Sequence, residues 1–254
     1  MRLRHKVYAQ YDKHFERRGR FSKTVGVQAP LRKPWLPHDK SAAILDLGCG
    51  IGETLLDLSA AGYANLTGID TAEVQLDRAR ESIGGEIDLQ QADALEFLQT
   101  HEERYDLIIA YDIIEHFTKD EAIELCDAIF SSLRPGGTFV VKVPNSGCIL
   151  GLFGRDMDFT HLAGYTDLSL FQLLEATGFR DHRLLKKDAS VNLKIWRPWK
   201  PLTGFGLRPR INVLLHRVLY WLLGTRPPSC FDVVVEAWTH RPCPEDNATA
   251  RQSD

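Results

Sequence analysis

The sequence predicts an α/β fold, a seven-stranded parallel sheet with helices on both faces and an insertion before the last strand. Three observations predict it. Apolar strand-like runs alternate with helical-period segments through residues 44–187, the pattern of βα units. The first run leads straight into three glycines spaced one residue apart, "ILDLGCGIG" at Ile44–Gly52. The strands that follow end in acids, first Asp70 and then Asp93, where a parallel sheet presents its ligand crevice.

Each element has its own signal. "AAILDLG" is the first strand, and "ETLLDLSAAG" is a helix with a glycine stop. "NLTGID" is the second strand and "AEVQLDRARESI" the next helix, with Thr71 placed as its N-cap. "IDLQQAD" is the third strand. "YDLIIAYDIIEHF" contains the fourth, almost wholly apolar as a strand buried on both faces should be. "KDEAIELCDAIFSSL" is an amphipathic helix, "RPGG" a turn and "TFVVKVPN" the fifth strand. "DLSLFQLLEATG" is a helix, "FRDHRLLKK" the sixth strand and "FDVVVEAWTHR" the seventh. This divides the chain into a basic helical arm or lid at 1–40, a ligand-binding core at 41–187, an insertion at 188–231, the last core strand at 232–241 and a disordered polar tail at 242–254.

The bulk numbers exclude several classes. A net charge of −3 over 254 residues gives no global attraction to nucleic acid. The start, "MRLRHKVYAQYDKHF", has no apolar h-region, and no run approaches the length of a membrane span. The five cysteines form neither a CxxC pair nor a zinc spacing. A cytoplasmic protein with reduced cysteines is expected. "NAT" at 247 is a chance glycosylation triplet in that setting.

Glycines directly after a strand let a ligand approach the backbone, and the following helix offers its N-terminal amides. A Walker phosphate loop would need a Lys-Ser/Thr pair that is missing here. A dinucleotide fingerprint would need its third glycine one residue later. S-adenosylmethionine is the third ligand that suits the loop. The acids extend the argument: Asp70 can accept from two ribose hydroxyls, Asp93 stands where an adenine amino group would lie, and Tyr111 and Asp112 end the fourth strand over the same crevice. Each acid alone could be a turn or cap residue. Their order on successive strands favours one ligand.

On "ILDLGCGIG", "GID", "QQADALEF", "YDLIIAYDIIEHF" and "LRPGGTFVVKVPN" the sequence resembles the class I S-adenosylmethionine-dependent methyltransferases, in particular the subgroup of ubiquinone-type and sugar methyltransferases. The resemblance implies a Rossmann-like, mostly parallel sheet whose last strand is antiparallel and lies inside it. It also implies that Gly48, Cys49, Gly50 and Gly52 line the methionine end and ribose, and that Asp46 orients the amino group. Asp70, with Thr71 beside it, would take the ribose, and Asp93 with Ala94 the adenine.

The acceptor is read from the segments beyond the fourth and fifth strands. A sugar hydroxyl must lose its proton as the new bond forms, a task for a positioned His or Asp. His161 in "GRDMDFTHLAGYT", flanked by Asp158, is the first candidate for the base. His116 in "DIIEHF" is the second, with an organising role as its alternative. No metal site is assigned, although Asp112 and Asp158 could share a divalent cation. The Asn/Asp-Pro-Pro-Tyr turn of base N-methylation is replaced by "AYDIIEH", against nucleic-acid acceptors.

Past Asp188 the insertion holds no acid, while Lys194, Arg197, Lys200, Arg208, Arg210, Arg217 and Arg226 are interleaved with aromatics. Its apolar stretch "INVLLHRVLYWLL" fits a packed or homodimer-interface helix, an acceptor lid, or a helix lying on an anionic membrane. The expectation is therefore O-methylation of a sugar or glycan, lipid-linked if the inner membrane face is the site of action. A phenol, quinone or carboxylate methyltransferase is the enzyme alternative, and a non-catalytic S-adenosylmethionine-binding partner protein the alternative of another class.

Overall fold

The computed structural model describes residues 33–83, 87–148, 155–156, 158–185, 218–219, 222 and 234–243. The arm up to residue 32, nearly all of the insertion and the tail from 244 lie outside the described residues, and so do the readings made on them.

Seven strands form one sheet: β1 (Ile44–Leu47), β2 (Leu66–Asp70), β3 (Asp88–Gln91), β4 (Tyr105–Tyr111), β5 (Leu133–Pro144), β6 (Arg180–Leu184) and β7 (Val234–His240). Their spatial order is β3-β2-β1-β4-β5-β7-β6. β7 runs antiparallel to both neighbours, between β5 and β6, and the remaining pairings are parallel. The helices are α1 (Glu53–Ala60), α2 (Glu73–Ile83), α3 (Ala94–Leu98), α4 (Lys119–Ser132) and α5 (Asp167–Ala176), with a 3₁₀ turn at Ile114–His116.

Alternation along the central strands sorts side chains to the two faces. Leu45 and Leu47 of β1, Ile108 and Ala110 of β4 and Phe139, Val141 and Val143 of β5 join one core with α4 and α5. Ile44, Leu107, Ile109 and Val140 join the other, with Leu55 and Leu58 of α1, Leu76 of α2, and Trp35. Fully buried chains such as Phe139 and Leu107 each stabilise the fold by about 1.5–3 kcal/mol. β3 forms the edge and is mostly exposed. Residues 33–40 dock through Trp35, and Tyr63 donates its hydroxyl to the Pro37 carbonyl at 2.6 Å.

Two local features differ from the sequence reading. "RPGG" is not a separate turn but the bulged start of β5, with a register shift opposite Tyr105 and Leu107. Its backbone is paired there with the end of β7, since Gly136 N–H donates to the Arg241 carbonyl and Arg241 N–H to that of Gly137. The second is α3, a five-residue helix too short to show a period in the sequence. Asp93 caps it, accepting from Leu95 and Glu96 N–H at 3.0 and 3.3 Å.

Candidate functional site

A cleft of about 440 Å³ opens beyond the C-terminal ends of β1, β2 and β4. Asp46, Gly48, Cys49, Gly50, Asp70, Thr71, Asp93, Ala94, Tyr111 and Asp112 all line it. Gly52 does not. It is buried at the head of α1 with φ +78°, and a Cβ there would meet Ile83 Cδ1 at 2.3 Å. Its positive φ and the close approach of Ile83 and Ala79 favour glycine here, so packing of α1 on α2 is a second reason for the residue beside the ligand contact expected from sequence. Gly48 and Gly50 also have positive φ, and a Cβ on Gly50 would meet nothing within 4 Å. The cradle is open at that point, and α1 has no side-chain cap on its N-terminal amides.

Asp70 organises the loop as well as facing the cleft. Its Oδ2 accepts from Gly50 N–H at 2.9 Å and its Oδ1 from Ala72 N–H at 2.8 Å. Asp46 is buried at the end of β1, and its carboxyl is pushed up to about 7, first by burial and then by the Asp70 charge, with Lys142 opposing. Burial likewise raises the Cys49 thiol, helped by Asp46 and Asp70, so it stays protonated and no thiolate nucleophile forms. Tyr111 donates to Glu236 Oε1 on β7 at 2.9 Å, and the same oxygen receives Lys33 Nζ at 3.0 Å. Burial, then Glu236, raises the Tyr111 phenol, which serves as a fixed wall.

The acceptor-side candidates separate. His116 lines the cleft, whereas His161 and Asp158 are not among its lining residues. They stand behind it in a segment pinned to the 3₁₀ turn by Leu162 and Ala163 N–H, which donate to the Glu115 carbonyl at 2.7 and 3.1 Å. Thr160 donates its hydroxyl to Asp158 Oδ1 at 2.6 Å, so its oxygen accepts from His116 Nδ1 at 2.8 Å. That relay places the His116 proton on Nδ1 and leaves Nε2 as the basic nitrogen. His161 Nδ1 lies 2.7 Å from the Arg155 carbonyl and must donate to it, and the His116 and His161 rings meet edge to face at 4.7 Å.

Glu115, the neighbour of His116 in "DIIEHF", and Lys142 also contribute. Glu115 is 1 % exposed, neither carboxylate oxygen accepts a hydrogen bond among the described residues, His161 Nε2 stands 3.9 Å from Oε1, and the carboxyl is pushed up to about 8 by burial and then by Asp112. Its ligand atom and those of His116 and His161 lie within 4.8 Å of one another, a spacing that one divalent cation could bridge. Asp112 and Asp158, the pair proposed from sequence for a cation, are not in this group. Lys142 also lines the cleft. A lysine inside the apolar run "TFVVKVPN" was the signal available for it.

Residues 44–137 match the family described as "Methyltransferase domain". The ubiquinone biosynthesis O-methyltransferase of Aromatoleum aromaticum is 35 % identical over 114 residues, covering 42 % of this chain and 47 % of that protein. The sterol 24-C-methyltransferase erg-4 of Neurospora crassa is 28 % identical over 107 residues, 40 % of this chain and 27 % of that one. The chain thus spans about half or less of the length of these curated relatives. One relative is named for oxygen and the other for carbon methylation, so the shared part follows the methyl donor, not the acceptor. The crystal structure of a SAM-dependent methyltransferase from Archaeoglobus fulgidus superposes with a TM-score of 0.57 at 20 % identity, covering 78 % of this chain and 86 % of that one. Residues 44–137 are thus similar to a methyltransferase domain, and the chain has the fold of the class I S-adenosylmethionine-dependent methyltransferases.

Proposed function

We propose that the protein transfers the methyl group of S-adenosylmethionine to a hydroxyl oxygen of a small phenol- or quinol-type acceptor. The observation that carries this reading is His116, set on the cleft wall with its basic nitrogen fixed by Thr160 and Asp158. The open glycine cradle and the acids at the strand ends fit the donor, with Asp70 for the ribose, Asp93 for the adenine and Asp46 for the ammonium. When bound, the donor supplies a methyl group already activated on a sulfonium. His116 takes the acceptor's proton as oxygen attacks carbon and the carbon–sulfur bond breaks, leaving S-adenosylhomocysteine and the methyl ether. The glycan acceptor expected from sequence gains nothing from the relatives, whereas the name of the Aromatoleum protein favours the quinol alternative.

A second reading has its own observation. The oxygens of buried Glu115, which accept no hydrogen bond among the described residues, and the two histidines beside them suit a divalent cation that would lower the acceptor's hydroxyl pKa directly. One assay tests both, with labelled methyl transfer to catechols, hydroquinones and sugars, with and without chelator. Phenolic acceptors should be methylated and sugars not; the reverse result sinks the proposal, and donor binding without any turnover would favour a binding protein. Activity lost to chelator and restored by a divalent cation assigns the cluster to the metal. Activity indifferent to chelator assigns it to the base.

Donor affinity should depend on pH through Asp46. Its folded carboxyl keeps its proton below about pH 7, while a cationic head group requires the ionised form. Affinity therefore falls towards tenfold per unit below that pH, and falls again above about pH 8 as the ligand's own α-ammonium loses its proton. Calorimetric Kd values between about pH 6 and 8.5 check this, and a flat profile would remove Asp46 from the ammonium contact.

No helix among the described residues is long and apolar enough to cross a membrane.

A further inference from the structure

The cleft is strongly acidic, with Asp46, Asp70, Asp93 and Asp112 on its wall, yet one permanent cation faces it among the described residues, Lys142. Lys142 sits on β5 in register with Tyr111 of β4, and its carbonyl accepts from Asp112 N–H at 2.8 Å. Its side chain crosses the Tyr111 ring, with Nζ 4.6 Å from the centroid, and ends 2.6 Å from Asp112 Oδ2. Tyr111 cannot swing away, because its hydroxyl is bound to buried Glu236. Asp112 holds a left-handed backbone, φ +55°, which a non-glycine residue adopts at a cost and which here turns its carboxylate to the lysine.

The result is a carboxylate and an ammonium side by side on the same stretch of wall. An α-amino acid head carries the same two charges at a similar separation, so it can dock with the signs crossed. The ammonium of lysine has three donors, and one of them goes to Asp112. Lys142 also lies close enough to Asp46 to pull that carboxyl back down against its burial. The charge thus stands at the β1–β4–β5 side of the cleft, away from Asp70 on β2 and Asp93 beyond β3, where the ribose and adenine are placed.

We infer that Lys142 is the specificity-determining cation that receives the α-carboxylate of the donor's methionine moiety, with Asp112 beside it joining Asp46 around the α-ammonium. This rests on reading the cleft as the S-adenosylmethionine site. It predicts a discrimination that the acids alone do not provide. Decarboxylated S-adenosylmethionine keeps the sulfonium and the ammonium and lacks only the group that Lys142 would bind.

The test is calorimetry with the full chain, titrating both donors into the wild type, Lys142→Met, Lys142→Gln and Lys142→Arg. The wild type should prefer S-adenosylmethionine by roughly ten- to a hundredfold, the strength of a charge-assisted hydrogen bond. Lys142→Met and Lys142→Gln should bind both donors about equally, and Lys142→Arg should keep the preference. The ratio is taken within each protein, so a general loss of affinity does not imitate the effect. A wild type that binds both donors alike overturns the assignment, as do Met and Gln variants that keep the wild-type ratio. If the wild type binds neither donor, the cleft reading itself falls.

Discussion

Replacing His116 by Ala is expected to lower kcat by roughly 10²–10⁴-fold while leaving the donor's Kd nearly unchanged. The imidazole lines the cleft, and the Thr160–Asp158 pair fixes which nitrogen is basic. Loss of the ring removes the proton acceptor but none of the contacts placed around ribose, adenine or ammonium. Thr160→Val should reproduce part of the loss, because it frees the tautomer without removing the base. His161→Ala is the comparison: behind His116 and bound to the Arg155 carbonyl, it should cost less than about tenfold as a base. Single-turnover rates with saturating donor separate the two. If His161→Ala costs more than His116→Ala, the order of roles drawn from the structure is wrong and the order drawn from sequence is right.

The second large effect belongs to Asp70. Asp70→Ala should weaken S-adenosylmethionine binding by about 3 kcal/mol, roughly a hundredfold. The proposed contact to the ribose hydroxyls is one source of this loss. The other is internal: Gly50 and Ala72 N–H lose their charged acceptor, so the glycine turn slackens where the ligand must lie against it. Asp70→Asn should fall between, since its amide keeps one acceptor oxygen for two backbone donors. Unchanged calorimetric affinity in Asp70→Ala would remove the residue from the site.

Much of this was legible before any coordinates. β1, β2 and β4 announce themselves because buried parallel strands are continuous apolar runs, and the glycine loop because its backbone conformation excludes other residues. Asp70, Asp93 and Asp112 are legible not singly, since each could cap or turn the chain, but through their order at the ends of successive strands. Gly52 shows the limit. Its spacing reads as a ligand contact, while its place against Ile83 is a neighbourhood that only the packing of two helices reveals. The histidines show another. Sequence places both beyond strand ends, but the ring that reaches the cleft is decided by Thr160, which anchors His116 through a hydrogen bond across 44 positions. Glu115 and Lys142 carry charges in apolar surroundings, and their meaning depends on partners that no local pattern encodes.

The reversed direction of β7 has an architectural result. β6 arrives at the cleft end of the sheet, where Leu185 N–H donates to the Glu236 carbonyl, and β7 departs from that same end, where Val234 faces Pro144. Leu185 and Val234, the described ends of the connection between these strands, thus both lie at the cleft end of the sheet. Lengthening a connection costs little, about 0.6 kcal/mol per doubling. A longer or shorter connection between those two ends would therefore leave Asp46, Asp70 and the glycine turn where they are.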